Sequence, residues 1–159
     1  EEVVQKGLRM LQIGMLGLTE NERLNLDTDN LKKAISEPTP KRIFAVAEAL
    51  HKGWSIEEIH KLSGIDPWFL GKLLNIVQMS ERLRKEELDA ELMLEAKRYG
   101  FSDKQIALAT DGEELEVRKL RKKMKVLPMV KQIDTMAAEY PAKTNYLYLT
   151  YHGSVHDVD

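Results

Sequence analysis

The feature that most constrains this chain is a pattern that occurs twice, 47 residues apart and without a gap. Gly53, Ser55, Glu58, Ile59, Ser63, Leu70 and Leu73 recur as Gly100, Ser102, Gln105, Ile106, Thr110, Val117 and Leu120. A serine followed three residues later by Glu or Gln is a capping box, in which the hydroxyl accepts from a backbone N–H and the longer side chain folds back to the cap. Each copy therefore reads as a glycine stop, a capped short helix, a tight turn and a second helix, the sequence shape of a helix-turn-helix. The body of the chain is predicted to be two related helical hairpins.

Helical spacing extends on both sides of the repeat. Val4, Leu8 and Leu11 share a face over Glu2 to Ile13, before Gly14 and Gly17 break the pattern, and this helix reads as the tail of something upstream. Asp27 and Thr28 offer cap oxygens to a short helix through Leu31, Ala34 and Ile35 that ends before Pro38. Thr39 as cap and Pro40 as first residue open a helix to about Lys52, with Ile43, Val46, Ala47 and Leu50 on one face. Asp66 and Pro67 do the same for a longer helix carrying Phe69, Leu70, Leu73, Leu74 and Val77. On that spacing Trp68 and Phe69 are assigned to the core ahead of a protein interface. Leu88 to Tyr99 forms a further amphipathic helix, and a last one runs from Glu113 to about Met124. Beyond Pro128 the period changes to two across Tyr146 to Tyr151, which predicts a strand. One strand makes no sheet, so its pairing partners are expected in a neighbouring domain.

Composition narrows the function classes. With 43% hydrophobic residues in 159, the chain can bury a real core. Its 24 basic and 26 acidic side chains nearly cancel, so no overall field draws it to nucleic acid or an anionic membrane. It has no cysteine, which removes thiolate nucleophiles, disulfides and Cys-based zinc sites. No apolar run of about 18 residues exists to span a bilayer, and the start has no secretory pattern. A soluble intracellular domain is expected.

A search for chemistry names few residues. The nine glycines are scattered as helix stops instead of gathered into a phosphate loop. His152, His156 and Asp157 could gather a cation, but Gly153 interrupts a helical spacing, and a solvated tail is preferred; His51 and His60 have no ligand set. Asp134 and Glu139 are read as turn-capping or ion-pairing carboxylates, with Lys131 or Lys143 as partners. The rival functional reading rests on Arg118, Lys119, Arg121, Lys122, Lys123 and Lys125, basic residues on the second helix of the second hairpin, where a recognition helix would meet DNA. Glu113, Glu114 and Glu116 precede them, however, an order that the helix dipole favours without any ligand. No catalytic, cofactor-binding or metal-binding residue is assigned.

The strings RIFAVAEAL, SIEEIHKLSGIDPWFL, GFSDKQIA, VRKLR and VKQIDTMAAEYPAKTNYLYLTY, in this order and spacing from Leu31 to Tyr151, resemble successive blocks of the oligomerisation domain of carbamoyl phosphate synthetase. The opening QKGLRML is similar to the last helix of the preceding ATP-grasp unit. Details such as FSDKQIA and the tail HGSVHDVD look closer to eukaryotic members, with the pyrimidine-pathway multifunctional type favoured over the mitochondrial ammonia-dependent type. The resemblance implies an all-α fold of about seven or eight helices, with two helix-turn-helix-like hairpins and an extended C-terminal arm. It implies boundaries at 1–26 for the upstream helix and linker, 27–127 for the helical domain, and 128–159 for an arm leading to the next ATP-grasp unit. It further implies self-association and contact with both ATP-grasp units as the partners. ATP and Mg are then used by the parent enzyme alone, with no cofactor in this domain, no nucleic acid and no membrane, in the cytoplasm or alternatively the mitochondrial matrix. No family catalytic residue carries over, and both ATP-grasp units are absent from this sequence.

Overall fold

The computed structural model describes residues 1–22, 24–141 and 146–158. Among them lie eight helices: α1 (Glu2–Met10), α2 (Thr28–Ser36), α3 (Arg42–His51), α4 (Ile56–Ser63), α5 (Pro67–Lys85), α6 (Ala90–Arg98), α7 (Asp103–Ala109) and α8 (Glu114–Lys123). Two short strands follow, β1 (Met129–Gln132) and β2 (Leu147–Thr150). The domain is all-α, with a two-stranded ribbon attached.

Both capping boxes form. The Ser55 and Ser102 hydroxyls accept from the N–H groups of Glu58 and Gln105, whose side chains return to the backbone N–H of each serine. Gly53 and Gly100 adopt φ of +80° and +85°. The next turn is matched too, since Gly64 and Asp111, again 47 apart, both take positive φ.

The repeat is longer than the sequence pattern indicated. Trp54 N–H donates to Ala49 O, and Phe101 N–H donates to Ala96 O, both at 3.0 Å. Val46 and Met93, and Ala49 and Ala96, are equivalent pairs with no exposed surface. So α3-α4-α5 and α6-α7-α8 correspond as three-helix copies. Low residue identity hid α3 and α6 from one another: the position of Leu50 in the first copy is held by Lys97 in the second. The copies share one core, in which α5 packs on α3 and α4 and also on α7. Ile59, Leu70, Ile76, Met93 and Ile106 are wholly enclosed there, each stabilising the fold by about 1.5–3 kcal/mol.

Helix α1 is bound into this body on its inner face. Gln5 accepts from Leu18 N–H at 2.7 Å, and the Arg9 guanidinium donates to Gly100 O and to Gln105 Oε1. The approach is close enough to require glycine at two places. A Cβ on Gly100 would stand 2.9 Å from Glu2 Cα, and one on Gly17 would stand 2.1 Å from Gln5 Oε1.

Several expectations need correction. Thr39 and Pro40 form a turn, and the helix starts at Arg42 with no side-chain cap, because Thr39 O accepts from Arg42 N–H and uses those residues for the turn. Trp68 and Phe69 are exposed, since the first turn of α5 turns only its Leu70 side to the core. Leu11 is exposed as well, beyond the last residue of α1. The C-terminal strand has a partner within this chain, because β2 pairs antiparallel with β1 in the register Met129↔Thr150 to Gln132↔Leu147. The alternation of β1 was too short to be recognised in sequence, and its four residues are all half-buried.

The two edges of the ribbon differ. Val130 N–H donates to His156 Nδ1, Asp157 N–H donates to Val130 O, and Gln132 N–H donates to the Asp157 carboxylate, so the tail closes the outer edge of β1. On the other edge Leu149 O accepts from Lys6 Nζ at 2.6 Å. The end of the ribbon is tied to α1 by Thr150 Oγ1 donating to Glu2 Oε2.

Candidate interaction surface

The basic run on α8 divides into two kinds of residue. Arg121 is buried, and its guanidinium holds the Asp103 carboxylate through Nε at 3.0 Å and Nη2 at 2.9 Å while Nη1 donates to Val126 O. Lys97 reaches the same carboxylate at 2.9 Å. The two cations also flank the Tyr151 ring, at 5.3 and 5.9 Å from its centroid, an attraction of the ring face for positive charge. Burial works to raise the Asp103 carboxyl, but hydrogen bonds from Arg121 and Lys97 outweigh it and hold it below the ordinary aspartate value. Burial pulls the Lys97 ammonium down, against the support of Asp103. For Arg121 the hydrogen bond to Asp103 dominates and pushes its guanidinium up. The cluster joins α6, α7 and α8 to the residue that follows β2. Nothing in the sequence spacing pointed to it, because Arg121 sat inside a run of bases and Lys97 meets Asp103 only through the packing of α6 against α7.

Arg118, Lys119, Lys122, Lys123 and Lys125 remain exposed, and Lys119 is paired with Glu116. The helix thus runs from acidic residues at its start to basic ones at its end, as its dipole favours. The equivalent first turn of α5 presents Trp68 and Phe69, packed edge to face at 5.0 Å, with Lys72 Nζ 5.3 Å from the Trp68 ring. This turn offers an apolar surface where phosphate contact would need cations.

The tail residues have protein partners. His152 Nε2 lies 3.0 Å from Arg98 O, His156 Nδ1 accepts from Val130 N–H, and Asp157 pairs with Lys131. Among the described residues no three His, Asp or Glu side chains are placed to hold a metal ion. Asp134 accepts from the N–H groups of Met136 and Ala138, as a turn carboxylate does. The N–H of Glu139 donates to Met136 O. Lys143 lies outside the described residues. His51 Nδ1 is 3.3 Å from Glu81, and His60 Nδ1 is 2.7 Å from Ile65 O. No helix of the described residues is long and apolar enough to cross a membrane.

What the surface does offer is uncovered apolar side chains. Val3 and Met10 project from the outer face of α1 with Leu11 just past its end, Trp68 and Phe69 from α5, and Leu147 and Leu149 from β2. Of these, Trp68 and Phe69 pack on one another, and uncovered apolar surface of this kind marks contact with protein where it is contiguous.

Comparison with known proteins agrees. The family described as "Carbamoyl-phosphate synthetase large chain, oligomerisation domain" matches residues 1–125. The chain is 48% identical over 163 residues to multifunctional protein CAD of Squalus acanthias, covering 100% of this chain and 7% of that protein. It is 46% identical over 164 residues to the mitochondrial arginine-specific carbamoyl phosphate synthase large chain of Schizosaccharomyces pombe, covering 100% and 14%. It is 44% identical over 165 residues to the human mitochondrial ammonia-type carbamoyl-phosphate synthase, covering 100% and 11%. The chain therefore spans a small part, about a seventh or less, of these relatives. An all-α body built from a repeated capped unit, matched over most of its length by one family, belongs to the carbamoyl phosphate synthetase large-chain oligomerisation domains.

Proposed function

We propose that this chain is a non-catalytic oligomerisation and spacer domain of a carbamoyl phosphate synthetase, which mediates self-association and sets the placement of two ATP-grasp halves. The observation that supports it most is the set of apolar side chains left uncovered on α1, α5 and β2 of a chain that belongs to a family named for oligomerisation. On this reading the parent is an ATP-dependent ligase that makes carbamoyl phosphate from bicarbonate, glutamine-derived ammonia and ATP with Mg, all handled outside this domain. Residues 1–26 carry the connection from the upstream ATP-grasp unit, 27–127 are the helical domain, and 128–159 lead toward the next unit. Helix α1 suits a seam: its Gln5 and Arg9 face this domain, while Val3 and Met10, with Leu11 just past its end, are exposed and would be free to meet the upstream unit. A cytoplasmic, pyrimidine-pathway parent is favoured, with the mitochondrial matrix as the alternative.

Analytical ultracentrifugation over a wide concentration series tests this reading. Mass should rise with concentration, and a persistent monomer would sink it. A thermal-shift assay with ATP and Mg should show no stabilisation. The helix-turn-helix alternative predicts salt-sensitive retention on DNA that falls when Arg118, Lys122 and Lys125 are neutralised. Burial of Arg121 against Asp103 and exposure of Trp68 at the matching turn argue for protein contact instead.

A further inference from the structure

The ribbon contains a self-complementary edge. In an antiparallel pair, directly opposed residues alternate between those that exchange hydrogen bonds with each other and those whose N–H and C=O point away. Val130 and Gln132 point away from β2, toward His156 and Asp157, while Ile133 N–H donates to Tyr146 O across the pair. The register then fixes the opposite strand: Tyr148 bonds to Lys131 on β1, whereas Leu147 and Leu149 direct their N–H and C=O groups outward. The contact from Lys6 Nζ to Leu149 O fits this assignment. Among the described residues no other group meets the outward N–H and C=O groups of Leu147 and Leu149.

We infer that β2 pairs with β2 of a second copy of this chain, antiparallel and with the two-fold axis at Tyr148. The inference rests on the self-association reading above, and names the surface and the partner. Leu147 and Leu149 straddle Tyr148, so an antiparallel copy places Leu147 of each chain opposite Leu149 of the other, and each pair exchanges two backbone hydrogen bonds. The two-fold makes both contacts equivalent. The segment Tyr146–Tyr151 carries no charged side chain, so no like charges meet across the axis. Leu147 and Leu149 share one side of the strand and are half-exposed, and pairing gathers four leucines there. Lys6 keeps its bond to Glu2 and occupies only one of the two lone-pair positions of Leu149 O. The tail on β1 then has a second meaning. It closes the outer edges of a four-stranded sheet, β1-β2-β2-β1, so that pairing stops at two copies.

A four-residue edge buries little area, so the association is of the weak class. The test is backbone amide exchange by NMR on the intact chain, at low and at high concentration, beside sedimentation. The N–H groups of Leu147 and Leu149 should gain protection as dimer forms, while that of Tyr148, bonded within the ribbon, should be protected throughout. The doubly substituted chain L147K/L149K, which sets like charges across the axis, should weaken dimerisation at least tenfold with helical content and melting temperature unchanged. L149P, which removes one outward donor, should weaken it as well. If the chain stays monomeric at every concentration, the self-association reading itself fails. If the chain dimerises with Leu147 and Leu149 still exchanging freely, or if L147K/L149K dimerises like the parent, the self-association reading stands and the edge assignment is overturned; another surface or a strand from another unit is then the partner.

Discussion

Asp103 is the residue whose environment departs furthest from what its neighbours in sequence suggest. One carboxylate holds two buried cations, Lys97 and Arg121, beside the Tyr151 ring. Removing it by Asp103→Ala leaves both cations without their anion, and urea denaturation should show a loss of about 3–5 kcal/mol, the range for breaking a buried ion pair. Its carboxyl titrates below the unfolded aspartate value, so its contribution is complete above that value and is lost as pH falls through the folded one. Thermal melts should therefore drop as pH falls below about 4, and Asp103→Asn should flatten that acid limb. Lys97 acts in the same direction but in the alkaline window, since its depressed ammonium costs stability while charged and that cost is relieved as pH rises toward the unfolded lysine value, which leaves the acid limb to the carboxylates. None of this was legible from spacing, because the three partners stand 6 and 18 residues apart on three helices. Only packing brings them together.

Capping and turn chemistry are local, and at the scale of elements the sequence was a good guide to them. The boxes at Ser55 and Ser102 stand where their spacing put them, and Asp27 and Asp66 cap α2 and α5. Ser55→Ala should cost about 1 kcal/mol in denaturant melts. The failures came where tertiary context decides. Thr39 had the right chemistry for a cap but lies in a turn, and Trp68 has helical spacing but sits at an end that nothing covers. Trp68→Ala should therefore change the melting of the chain little, within about 0.5 kcal/mol, as measured by calorimetry. Gly100→Ala should act strongly, because its φ of +85° is strained for alanine and its Cβ would press on Glu2 Cα. Amide exchange should then show α1 opening before the rest of the fold.

Across the whole molecule the two copies do not behave as separate beads. Helix α5 is buried between its own hairpin and α7 of the other copy, so the three-helix units share an interior. Calorimetry should record one cooperative transition, and Ile76→Ala, which hollows that shared interior, should lower it by about 2–5 kcal/mol without splitting it. The repeat itself was visible in sequence from its caps and glycines, whereas its third helix was not, because α3 and α6 keep the same geometry with different side chains. The contact between α1 and the ribbon, made by Glu2 with Thr150 and by Lys6 with Leu149, has a mechanical consequence. Tension applied through opposite ends of the polypeptide would load this corner together with the bonds that tie Glu1 to Asn75 and Lys72 on α5, so both sets would have to give way before α1 peeled from the helical body.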